Sequence, residues 1–243
     1  MNKRALIIGA TSSLAARICH RLAEKNYKLF LVARDAEELE IIKNDLRVRY
    51  NAEVITQKLD LSYITFSAAE FMQDIEEKFR FPDSVFMVAG DMGAADLRKE
   101  NIERVTKINY LQPAKILEII AEKMAARERG RIIVISSVAG DRGRASNYVY
   151  GSAKAALSTF ASGLRNKFSH DNVHIMTVKP GFLDTPMTYG MHSPLIWSRD
   201  KAAKTIIKAM RRKKEVIYVP FFWRYIMLII KLIPEKIFKI LRL

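Results

Sequence analysis

The chain has 243 residues, 49% of them hydrophobic, enough for one large α/β domain with a buried core and with no linker, repeat or low-complexity stretch to divide it. One cysteine, Cys19, excludes an intrachain disulfide, and the four histidines have no Cys, His or carboxylate at ligand spacing, so no metal site is expected. The net charge of +15 is uneven: residues 201–243 carry twelve Lys/Arg against two acids, which leaves the first 200 residues nearly balanced and argues against a nucleic-acid-binding body.

Short apolar runs at 5–8, 28–32, 53–57, 84–88, 131–135, 173–178 and 215–219 alternate with helix-length patterns at 14–25, 36–50, 64–79, 96–128, 148–169 and 199–212. Strands separated by helices predict right-handed βαβ units. The expected fold is therefore a single-domain, Rossmann-type doubly wound parallel sheet of about seven strands over 1–220, helices on both faces, with a C-terminal amphipathic helical extension over 221–243. Such sheets bind ligands beyond the carboxyl ends of their strands. Too few residues precede the first strand to form a signal-peptide core, so a cytoplasmic setting is expected.

The first strand runs into Gly9-Ala10-Thr11-Ser12-Ser13-Leu14-Ala15, a small-residue turn that lets backbone amides and a helix N-terminus approach a pyrophosphate. Only Gly9 is glycine there. At the end of the second strand stands Arg34-Asp35. A guanidinium at that tip suits the 2′-phosphate of NADP, whereas Asp35, three residues before Glu38, reads as a helix cap. The plain alternative for Arg34 is a solvated surface cation.

Ser136-Ser137 closes the fifth apolar run, and Tyr150 and Lys154 lie one helical turn apart on one face further on. A phenol is a poor acid or base at neutral pH. A nearby cation favours its ionised form, and a serine hydroxyl beside it can hold a substrate carbonyl oxygen. Tyr148, with Ser152 rather than a cation four residues on, lacks this pairing.

In order, these residues resemble the short-chain dehydrogenase/reductase family from about residue 3 to 220. The resemblance maps the glycine-rich turn to Gly9, Thr11, Ser12, Ser13 and Leu14, and the adenine-side acid to Asp60, with Leu61 beside it. The Asn-Asn-Ala-Gly segment becomes Met87-Val88-Ala89-Gly90, which keeps Ala89 and Gly90. It implies catalysis by Asn109, Ser137, Tyr150 and Lys154, with Tyr150 exchanging the proton and Lys154 lowering its pKa and holding the nicotinamide ribose. Asn109 would hold a relay water, and Pro180, Gly181 and Thr185 the nicotinamide carboxamide. The implied activity is that of an NADP(H)-dependent carbonyl reductase or alcohol dehydrogenase, with NADPH preferred over NADH and a homo-oligomeric assembly.

Between residues 185 and 198 an apolar segment containing Met187, Tyr189, Met191, Leu195, Ile196 and Trp197 is expected to form a substrate lid. His192 within it has no evident partner. A helix over 221–233 would be about 20 Å long, too short for a bilayer core of about 30 Å. Its cations Arg224 and Lys231 fall on one face, and Phe222, Ile226, Ile229, Ile230 and Ile233 on the other. This pattern fits an in-plane helix on an anionic membrane surface, with the basic run 211–214 adding attraction, or burial in the domain or a subunit interface. The tail also loosely resembles reductases of polyprenyl-phosphate-linked 2-keto sugars, so the expected substrate is an apolar or lipid-linked ketone at a membrane. The alternatives are a soluble reductase of small or acyl ketones and a non-catalytic NADP-binding protein.

Overall fold

A computed structural model describes residues 3–63, 67–93, 99–185, 190 and 193–241. Seven strands form one parallel sheet: β1 (Arg4–Ile8), β2 (Lys28–Ala33), β3 (Val54–Lys58), β4 (Ser84–Met87), β5 (Gly130–Ile135), β6 (Val173–Pro180) and β7 (Val216–Val219). Their order is β3-β2-β1-β4-β5-β6-β7, so the direction of winding reverses between β1 and β4. Such a switch point opens a crevice at the carboxyl edge of the sheet. The five inner strands are largely buried on both faces, which explains their apolar runs, while the edge strands β3 and β7 are partly exposed.

Helices α1 (Ser13–Ala23), α2 (Ala36–Tyr50) and α7 (Arg199–Arg211) cover one face, where Ile18, Leu22, Leu39, Ala203 and Ile206 bury against the strands. The other face is covered by α3 (Ala68–Phe79), α5 (Gln112–Ala125) and α6 (Tyr148–Lys167), through Met72, Ile75, Ile116, Ile120, Leu157 and Leu164. Cys19 is fully buried in the first of these layers, and burial pushes its thiol up to about 12, so it is an inert core residue.

The segment expected as one helix over 96–128 is broken. Helix α4 (Lys99–Thr106) passes through a widened π turn, Lys107–Leu111, into α5. Pro113 is the cause: it has no N–H to give the carbonyl of residue 109, and its ring crowds that carbonyl. The turn holds Asn109 fully buried, behind the crevice.

The C-terminal chain forms α8 (Trp223–Leu232) and a short α9 (Glu235–Phe238). The expected division into one apolar and one cationic face is corrected here, because α8 is apolar on two sides. Trp223 and Met227 are buried, with Phe222, Ile226 and Ile230 packed beside them against Val138 and Phe182. Phe221, Tyr225, Leu228, Ile229 and Leu232 form a second stripe that faces outward, where Leu232 is 74% exposed. No helix among the described residues is long and apolar enough to cross a membrane.

Arg142, in the loop after β5, holds this tail to the domain. Its guanidinium donates to the carbonyls of Ile230 (2.8 Å), Lys231 (3.1 Å) and Ile233 (2.6 Å), pairs with Glu235 and stacks over Phe238. A cation at the C-terminal carbonyls of a helix both satisfies orphan acceptors and complements the helix dipole.

Candidate active site

A cleft of about 1360 Å³ runs along the carboxyl edge of the sheet across the switch point. Every expected site residue lines it except Asn109, which lies fully buried one layer behind.

At one end Gly9 ends β1 with φ +87°, and a Cβ there would stand 2.5 Å from the backbone nitrogen of Ala89. Only glycine allows both that φ and that approach. Ser12 caps α1, its Oγ accepting from the Ala15 amide at 3.2 Å, so the N-terminus of α1 opens onto the cleft beside Ser13 and Leu14. Asp35 is committed to capping α2, accepting from the amides of Glu37 and Glu38 at 3.0 Å. Arg34 is exposed at the cleft with no acid paired to it among the described residues. Arg17, one turn into α1, shares this end and was not anticipated; its spacing of four from Ser13 was the available signal. Asp60 accepts from the Ser62 amide at 2.8 Å, with Leu61 buried next to it.

At the centre, Lys154 is 2% exposed and donates to the carbonyls of Ile135 (3.1 Å) and Ala89 (3.3 Å). Asn109 binds the backbone of Asp91 in both directions, accepting from its amide at 3.1 Å and donating to its carbonyl at 2.6 Å. A Cβ on Gly90 would lie 3.2 Å from both Asn109 Oδ1 and Lys154 Nζ, so those two groups converge there. The Lys154 ammonium lies 5.8 Å from the centre of the Tyr150 ring.

The two serines part ways. Ser136 donates from Oγ to the Lys154 carbonyl at 2.9 Å and meets Ser158 at 2.6 Å, tying β5 to α6 inside the core. Ser137 is hydrogen-bonded to Tyr150 at the cleft wall. Gly151 makes this approach possible, since a Cβ there would come within 2.8 Å of the Ala139 carbonyl.

Burial raises the Tyr150 phenol to about 12, with the Ser137 hydrogen bond pulling the other way. Burial also lowers Lys154 to about 7. The expectation that the lysine lowers the phenol's pKa is therefore not met in the protein alone: the desolvated lysine holds only part of its charge near neutrality. Both groups are held toward their neutral forms.

At the far end, β6 delivers Pro180 and Gly181, and Thr185 follows at the rim. The indole of Trp223 lies against Gly181, where a Cβ would be 2.0 Å from Nε1, and meets Phe182 edge to face at 5.1 Å. Asp141 is 2% exposed, paired with Lys179 and accepting from Tyr218 Oη at 2.7 Å. Arg144 and Asn147 complete this wall and carried no recognisable signal in the sequence. Of the expected lid, Met187, Tyr189, Met191 and His192 lie outside the described residues. Leu195 and Trp197 are partly buried: Leu195 joins the cluster around Trp223 and Trp197 packs on the main core. Among the described residues no group of three His, Cys, Asp or Glu side chains stands close enough to hold a metal.

The family model for short chain dehydrogenases matches residues 3–194. The chain is a short-chain dehydrogenase. This short-chain dehydrogenase is 29% identical over 237 residues to an uncharacterized oxidoreductase of Mycobacterium tuberculosis, covering 96% of this chain and 95% of the relative. It is 28% identical over 262 residues to an SDR family protein 7-like dehydrogenase/reductase of Anopheles gambiae, covering 99% and 82%. Its fold is similar to that of a short-chain dehydrogenase from Sphingobium yanoikuyae solved with NADPH, with a TM-score of 0.82 at 23% identity over 96% and 97% of the two chains. It is also similar to the bulky-bulky ketone specific alcohol dehydrogenase of Comamonas testosteroni, with a TM-score of 0.81 at 21% identity over 96% and 95%.

Proposed function

We propose that this short-chain dehydrogenase is an NADPH-dependent carbonyl reductase, working reversibly as an alcohol dehydrogenase. The observation that carries this is the convergence of Ser137, Tyr150 and Lys154 on one cleft whose other end is a helix N-terminus flanked by Arg17 and Arg34.

The residues present fit a dinucleotide. Gly9 brings the chain close enough for backbone contact with a pyrophosphate, and α1 directs its free amides there. Arg34 and Arg17 would hold the 2′-phosphate, with Asp35 turned into its cap rather than toward a ribose diol. Asp60 and Leu61 would hold the adenine side. Pro180, Gly181, Thr185, Ala89 and Gly90 would hold the nicotinamide side, and Lys154 the adjoining ribose. When bound, the nicotinamide exchanges hydride with the substrate carbon.

The protein's part is to place the carbonyl oxygen and move one proton. Ser137 holds the oxygen beside Tyr150, and Tyr150, kept protonated by its buried setting, gives its proton as negative charge develops on that oxygen. Lys154 then stabilises the phenolate, and the convergence of Asn109 and Lys154 at Gly90 offers a route for reprotonation. Titration of the full chain with NADPH and NADH tests the cofactor assignment. Tighter NADPH binding is expected, with the preference lost in Arg34→Ala; equal or tighter binding of NADH contradicts it.

The outward stripe of α8 favours a second feature of this reading, action at an anionic membrane surface on an apolar or lipid-linked carbonyl. The stripe is ringed by exposed Arg224, Lys231, Lys236 and Lys239, the composition of an interfacial helix. Because the opposite face of α8 packs behind the cleft-lining Val138 and Phe182, substitution of the stripe is a cleaner test than truncation. The full chain should float with anionic but not zwitterionic vesicles, and Leu228→Gln with Leu232→Gln should abolish this. Absence of flotation, or self-association in its place, contradicts it.

A further inference from the structure

Two arginines two residues apart in the loop after β5 are treated very differently by the fold. Arg142 is saturated, with three carbonyls, a carboxylate and an aromatic face around it. Arg144 lines the catalytic cleft, and among the described residues its one side-chain hydrogen-bond contact is from Nη2 to the Met227 thioether at 3.2 Å, a weak acceptor. Its Nε is buried and has no acceptor among the described residues. Asp141, the neighbouring carboxylate, is already committed to Lys179 and Tyr218. Asn147, three residues on and three before Tyr150, also lines the cleft, and its Oδ1 is likewise buried and has no donor among the described residues.

A buried donor and a buried acceptor without partners are each costly, and native proteins rarely keep them without a reason. Arg144 is half-buried, and a guanidinium partly withdrawn from water gains from an anion beside it. Here both residues line the same cleft, next to the proton-transfer group. We propose that Arg144 holds an oxyanion of the substrate, so that the ketone or alcohol entering this cleft carries a carboxylate or phosphate group, while Asn147 accepts a hydrogen bond from a hydroxyl on it. The guanidinium fork suits an oxyanion in two-point contact, and Met227 ties that contact to the C-terminal tail. This inference deepens the carbonyl-reductase reading and rests on it.

The test compares acids with their neutral counterparts on the full chain with NADPH. Levulinate and para-acetylbenzoate are set against their methyl esters, and dihydroxyacetone phosphate against dihydroxyacetone, so that the carboxylate and phosphate arms are separate. Wild type should favour the acids. In Arg144→Met the ratio of kcat/KM, acid over neutral, should fall roughly tenfold to a hundredfold, chiefly through KM, because a charge-assisted contact is lost. Arg144→Lys should recover part of it, having the charge without the fork. An unchanged ratio, whether both rates fall together or neither falls, overturns the proposal and leaves Arg144 a packing residue.

Calorimetric binding of benzoate to the full chain, with and without NADP+, gives a readout free of turnover. Benzoate should bind wild type at least tenfold more tightly than Arg144→Met; no difference, or no binding to either, overturns the proposal. Failure of NADP+ to bind would instead remove the dinucleotide reading, and the benzoate comparison would still decide Arg144.

Discussion

At the dinucleotide end of the cleft the working parts lie close together in the chain and are largely backbone: Gly9, the cap at Ser12 and the first turn of α1, with Arg34 at the tip of the adjacent strand. At the substrate end they are side chains drawn from Ser137, Arg144, Asn147 and Tyr150, with Trp223 packed behind Gly181, assembled by long-range contacts. The first kind of site depends on main-chain geometry and fails when a Cβ intrudes. The second depends on packing across the fold and can be retuned one side chain at a time. A shared cofactor with divergent substrates calls for this division of labour.

The sharpest way to break the first end is Gly9→Val. It places a branched side chain at φ +87° and within 2.5 Å of the Ala89 backbone. The strain and overlap together should cost roughly 3 kcal/mol or more and abolish NADPH binding. Urea unfolding and cofactor titration measure both. Full cofactor affinity in this variant would mean the turn does not cradle a dinucleotide.

The substrate end should respond to Arg142→Met. Losing the guanidinium leaves the terminal carbonyls of α8 unsatisfied and frees the tail, at a cost of about 2–4 kcal/mol. Protease sensitivity should appear first around residues 221–241, with turnover falling more than NADPH affinity. Equal loss of both would erase the contrast between the two ends.

The centre makes a smaller prediction. Lys154 lies at about 7 in the folded chain against an ordinary 10.5, so burying its charge costs stability. That penalty is full below pH 7, shrinks as the folded group releases its proton before the unfolded one does, and is gone above the unfolded value. Stability of the cofactor-free protein should therefore rise from pH 7 to pH 9 by about 2 kcal/mol. Lys154→Met should flatten that slope. Tyr150, raised to about 12, subtracts stability only above pH 10, outside this window.

Placement of the inner strands was legible because strands buried on both faces are continuously apolar, and α2 matched its expected 36–50 because Asp35 caps it as the sequence indicates. The turn at Gly9 and the cap at Ser12, on which the proposed cofactor end rests, are local features of the same kind. The break at Pro113 was readable in principle, from a missing N–H, but the apolar periodicity runs through it. The two-sided character of α8 was not readable, since which stripe meets the domain depends on Arg142 and Val138 far upstream. Nor does sequence distinguish Arg142 from Arg144, which share a loop and differ only in what surrounds them.

The central claim is that Tyr150 transfers the proton in an NADPH-dependent reduction. Its direct test is Tyr150→Phe, measured side by side with wild type for NADPH binding and for ketone-dependent NADPH oxidation. Binding should be retained, and turnover should fall by roughly a thousandfold or more, within the range or beyond for loss of a general acid. Turnover retained in the variant, or wild type that binds NADPH and reduces no carbonyl compound, contradicts the account.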